Sequence, residues 1–147
     1  MRRAALSLLL LALTGCLDSL FETLPSELPF PTGASFAFVS TTYRDVPVQV
    51  GTIDVLAAEA GRFTGTWELT WSPGSDSTIY PGLHGGRGTV EGTIFGSEAA
   101  IDLVGGDPVG TIHLGAIPDS LGWSGGWNYR PDSTVRRGGR FTARMLP

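Results

Sequence analysis

The chain has 147 residues, ten Arg and no Lys against fourteen acidic residues, and a formal net charge of −4. That length leaves room for one small domain and a tether but not for two domains, and the acidic balance argues against a nucleic-acid partner. With 21 Gly and 10 Pro the chain is rich in turns, yet 41% hydrophobic residues, four Trp and seven Phe are too much apolar material for a disordered tail.

Residues 1–15 read as a leader. Two Arg are followed by an apolar run from Ala4 to Leu13 and then by small residues, which is the three-part layout of an export signal. The run is too short to cross a bilayer as a helix, which takes about 20 residues. Its close, Leu13-Thr14-Gly15-Cys16, resembles the lipobox of bacterial lipoproteins. The resemblance implies cleavage before Cys16 and a diacylglycerol on its thiol, leaving Cys16 neither a nucleophile nor a metal ligand. Several acyl chains on one Cys anchor a protein durably where a single chain holds only marginally. Leu17, in place of an Asp directly after the Cys, implies an outer-membrane location facing the periplasm. The alternative, an ordinary signal peptide with a chance Cys, would leave a lone thiol in an oxidising compartment.

Residues 16–33 follow as a tether. Pro25, Pro29 and Pro31 are spaced too closely for a helix. Phe21, Leu24, Leu28 and Phe30 make this linker unusually apolar, so part of it is positioned to lie against the domain or the lipid.

From residue 34 to 147 the pattern turns to period two. It is clearest in Arg62-Phe63-Thr64-Gly65-Thr66-Trp67-Glu68-Leu69-Thr70-Trp71, where the odd positions are apolar or Gly and the even ones polar, so a strand puts one face in a core and the other in water. The same alternation marks Thr89–Ile94, Trp123–Asn128 and Arg140–Met145, and less regular strands are expected at Ser35–Arg44, Val48–Ala57, Ala99–Val104 and Val109–Ala116. Between Val50 and Ile53 the apolar phase slips, which predicts a bulge at Gly51. Turn residues separate the eight strands at spacings too short for a helical crossover, so neighbours pair antiparallel. The expectation is an all-β, eight-stranded, antiparallel up-and-down meander closed as a small barrel, with an open or sandwiched sheet as the alternative.

A repeated rhythm favours closure. Four inward rows read large, small, large: Phe63-Gly65-Trp67, Val90-Gly92-Ile94, Trp123-Gly125-Trp127 and Phe141-Ala143-Met145. A small mid-strand residue lets the strand coil and admits a bulky ring from across the barrel. In this the domain resembles small meander barrels such as lipocalins and avidins. The likeness is of architecture alone, without either family's sequence signature, and implies no binding residues.

Catalytic signals are sparse. Gly122-Trp123-Ser124-Gly125-Gly126 fits the Gly-x-Ser-x-Gly string of serine hydrolases, but that chemistry needs a strand-to-helix elbow and a His downstream, whereas Ser124 falls on an alternating strand and His84 and His113 both precede it. Glu68, Glu91 and Asp102 read as outward-facing strand residues. Two His, no available Cys and scattered carboxylates fall short of a structural metal site. A loose Ca²⁺ site at Ser75-Asp76-Ser77 or Asp119-Ser120 would need further convergent oxygens. No enzyme, no metal and no cofactor is expected.

Two non-catalytic roles remain. In one, the barrel accepts a small apolar ligand lined by Trp67, Trp71, Trp123, Trp127 and Tyr129. In the other, these rings fill the interior and the protein is a structural or interaction component of the cell envelope. For the latter, Arg136, Arg137, Arg140 and Arg144 offer a patch for an anionic head group or an acidic partner, or else a hairpin edge guarded by charge.

Overall fold

The structure, a computed structural model, describes residues 31–75, 85–105, 110–130 and 137–147. It contains eight strands: β1 (Ser35–Thr42), β2 (Pro47–Glu59), β3 (Arg62–Trp71), β4 (Gly86–Phe95), β5 (Glu98–Gly105), β6 (Ile112–Asp119), β7 (Gly122–Tyr129) and β8 (Arg137–Met145). Every neighbour in sequence is a neighbour in space, all pairs are antiparallel, and β8 pairs back onto β1 to close the barrel. Closure removes the unpaired edges that an open meander leaves exposed.

The alternation of residue types becomes an alternation of burial. In β3, Phe63, Gly65, Trp67 and Leu69 are buried and the residues between them are exposed. The inward rows of all eight strands meet in one apolar core from Phe36 and Phe38 on β1 to Phe141 and Ala143 on β8. Met145, expected on an inward row, is 38% exposed, because β8 carries it past the closed interior to the rim.

Strand β2 departs from expectation. Gly51 is in regular register with Phe38 on one side and Leu69 on the other, so no bulge sits there. The register shifts instead between Ser40 and Thr41 of β1, which skips Val48, and between Val55 and Ala57, which skips Leu56. Gly51 belongs to the inward row with Gln49, Ile53 and Val55, and the slip in the apolar pattern is the irregularity at Val48, where Val48 and Gln49 are both buried.

The short connections and the chain's entry share one end of the barrel. Turns at 60–61, 96–97 and 120–121 lie there, with Gly33 donating its N–H to the Val55 carbonyl (2.7 Å) and Leu146 donating to Ser35 (2.8 Å). The longer connections after β3, β5 and β7 leave from the opposite end. At that end β1 stops at Thr42, short of the expected Arg44, because the Thr42 hydroxyl accepts the N–H groups of Arg44 and Val46 and starts the turn.

Candidate functional site

The five rings expected to line a pocket divide into two groups. Trp67, Trp123, Trp127 and Tyr129 are no more than 2% exposed, whereas Trp71 at the end of β3 is only partly buried against the core. A side chain lining a void wide enough for water keeps accessible surface, and these four keep essentially none. Their neighbours account for the volume. Trp123 is stacked between Phe36 (centroids 4.5 Å apart) and Phe63 (5.4 Å), and Phe38 stacks on Phe141 (5.6 Å), spacings at which aromatic pairs attract beyond their area burial.

Two indoles are also fixed by hydrogen bonds. Trp67 Nε1 on β3 crosses β4 at Gly88 to donate to the Val104 carbonyl on β5 (3.1 Å), and Trp127 Nε1 on β7 crosses β8 at Gly139 to donate to Thr41 on β1 (2.8 Å). A Cβ at Gly88 or Gly139 would lie 2.8 or 2.7 Å from the respective indole nitrogen and collide with the carbonyl oxygen of Val104 or Thr41. The arrangement recurs four strands apart, on β3–β4–β5 and again on β7–β8–β1. Buried polar groups are few; Ser40 Oγ accepts the N–H of Gln49 (3.1 Å).

Two depressions in the surface lie elsewhere. One follows the β2–β3 hairpin from Ala57 to Thr64, and the other crosses the outer wall over Arg62, Thr64, Glu91, Thr93, Ala100 and Asp102. None of the five rings lines either.

The arginines of β8 do not gather. Arg137 pairs with Tyr129 at the end of the long connections, and Arg144 pairs with Gly122 at the other, a separation of roughly 23 Å along a strand. Arg140 is exposed with Asp45 at 3.5 Å. Arg144 grips Asp119 through both carboxylate oxygens (2.8 and 3.0 Å). That hydrogen-bonded guanidinium, with the Leu121 N–H (2.7 Å), holds the Asp119 carboxyl below its usual range. A depressed carboxyl pKa contributes stability above its unfolded value and loses it as pH falls through the folded one, here much reduced by solvent screening. Arg136 lies outside the described residues.

Of the remaining sequence candidates, Glu91, Asp102 and His113 come side by side on the outer wall and the others lie apart. Ser124 sits between Ile117 and Thr142 on the neighbouring strands, with no elbow. Glu68 is flanked by Thr52 and Arg87, while Glu91 is beside Asp102, so the three carboxylates do not converge. His113 Nδ1 meets Asp102 Oδ1 at 2.6 Å on the outer wall, both about half exposed, a pair that only the β5–β6 register brings together. Asp119 is engaged by Arg144, and the Ser75 hydroxyl donates to the Ser72 carbonyl (2.7 Å). Among the described residues no group of three His, Cys, Asp or Glu could hold a metal ion. Cys16 and its lipobox, His84, Asp76 and Ser77 lie outside the described residues.

No protein-family model, curated protein or solved structure matches the chain.

Proposed function

We propose that the protein is a lipid-anchored envelope lipoprotein of non-catalytic role, in which the barrel is a filled, rigid scaffold that presents its outer surface to envelope components. Cys16 carries the anchor, the segment up to residue 33 sets the stand-off, and Leu17 directs the protein to the outer membrane on its periplasmic side. The observation behind the scaffold reading is the closed interior: Trp67, Trp123, Trp127 and Tyr129 together leave no accessible surface for a ligand of ordinary size, whereas small-molecule sites run to about 300 Å³ or more. The same rings that made an apolar pocket attractive from composition supply the volume that fills it.

Cys16→Ser should move the protein from the membrane fraction to the soluble periplasmic fraction. Continued sedimentation with membranes after a salt wash would count against the anchor. Native mass spectrometry of the full chain, purified gently from its own membranes, should show the acylated polypeptide alone. A reproducible additional mass lost on denaturation would overturn the filled scaffold and restore the carrier reading.

A further inference from the structure

Nine large apolar side chains are exposed among the described residues, and six of them, Leu56, Phe95, Ile117, Leu121, Met145 and Leu146, stand at the end where the chain enters the barrel. Four of these are about 60% exposed. They come from the last few residues of β2, β4 and β6, from the β6–β7 turn, and from the end of β8 with Leu146 just beyond it, so they are spread round the barrel mouth instead of marking one side of its wall. Backbone hydrogen bonds tie the ring together: Met145 donates to the Leu121 carbonyl (2.8 Å), Leu146 to Ser35 (2.8 Å), and Ile94, next to Phe95, to Gly61 in the β2–β3 turn (2.7 Å). Leu56 is the skipped residue of β2, turned outward beside Val55, whose carbonyl holds Gly33.

A ring around one end is the shape that a plane touches all at once, whereas a protein partner more often meets one side of a wall. The charges nearby suit a largely uncharged plane. Asp119 and Arg144 neutralise each other, and Glu59, Arg62 and Glu98 are exposed at the turns with mixed sign. We infer that this rim docks on the lipid bilayer, with the barrel standing end-on and the far ends of β3, β5 and β7 turned away from it. The inference rests on the lipid anchor at Cys16. Only 17 residues lie between Cys16 and Ala34 at the rim, a span of at most about 65 Å when fully extended. Tethering therefore holds the rim at high effective concentration over the membrane, where modest interfacial insertion suffices.

The test uses the full acylated chain in vesicles of phosphatidylcholine. Cys16 is the sole cysteine, so acylation leaves a single introduced thiol free for an environment-sensitive fluorophore. The probe goes at Leu121→Cys or Phe95→Cys on the rim and at Val46→Cys on the opposite end, all exposed positions that tolerate a label. Docking predicts blue-shifted emission from both rim probes and loss of most of it when the acyl chains are brominated, with the Val46 probe unchanged. Rim probes that stay in water on vesicle-bound, acylated protein would overturn docking and leave the anchor standing. Rim probes shielded from water but untouched by bromine would also overturn it, in favour of a second copy or the chain's own tether. An unacylated chain, recognised by its mass and by labelling at Cys16, would instead remove the anchor and docking with it.

Discussion

Trp67 and Trp127 show how one residue depends on another it does not follow in sequence. Each indole reaches a carbonyl two strands away only because Gly88 or Gly139 leaves the intervening strand bare. A methyl at Gly88 must displace either the ring or the Val104 carbonyl, and both are fixed. Gly88→Ala should therefore lower stability by roughly 1–3 kcal/mol, as overpacking does, read as a drop in the denaturation midpoint. Gly115→Ala is the comparison, since a Cβ there meets nothing within 4 Å. It should leave the midpoint unchanged or raise it by up to about 1 kcal/mol through the unfolded chain. Equal losses in both variants would show that the space above Gly88 is not specially occupied. The rings themselves are legible in the sequence as inward residues. Their hydrogen-bond partners are not, because the acceptor for Trp127 lies 86 residues away and is chosen by register.

At the scale of elements, the β2–β3 hairpin carries a local misfit. Ala60 and Gly61 form a two-residue loop with φ of 49° and 74°, the primed turn that matches strand twist and favours Asn-Gly. Ala60 holds a left-handed conformation that costs an ordinary L-residue about 1–2 kcal/mol. Ala60→Asn should raise stability by about 1 kcal/mol, since Asn tolerates that region at lower cost, and hydrogen exchange in Arg62–Thr64 should slow with it. An unchanged or lower midpoint would mean that the turn geometry gives way. Elements with strict alternation, β3 above all, could be read residue by residue. Strand β2 could not, because its thirteen residues include two skipped ones, Val48 and Leu56. The phase slip near Gly51 reflects a backbone irregularity that sits at Val48, since Gly51 has no side chain to show which face it takes.

For the whole molecule, β8 makes the difference between a barrel and a sheet. It forms two ladders, to β7 and to β1, and supplies Phe141 to the stack on Phe38. Deleting residues 137–147 should leave β1 and β7 as bare edges and expose one side of the core. The truncated chain should then lose its cooperative thermal transition and aggregate through those edges. A retained sharp transition would show that β1 and β7 can close on each other as a seven-stranded barrel.

Period-two alternation and turn chemistry are local properties, which is why the sequence by itself determined eight antiparallel strands and their meander order. Each requires only a few consecutive residues to agree on which face is wet. Which rings Trp123 would stack on, which carbonyls Trp67 and Trp127 would reach, and where the exposed apolar side chains would lie were decided by the tertiary structure. Those outcomes depend on strand register and closure, which set distances between residues far apart in the chain. Closure packed the rings against the opposite wall and set the exposed apolar ends of β2, β4, β6 and β8 round one mouth of the barrel.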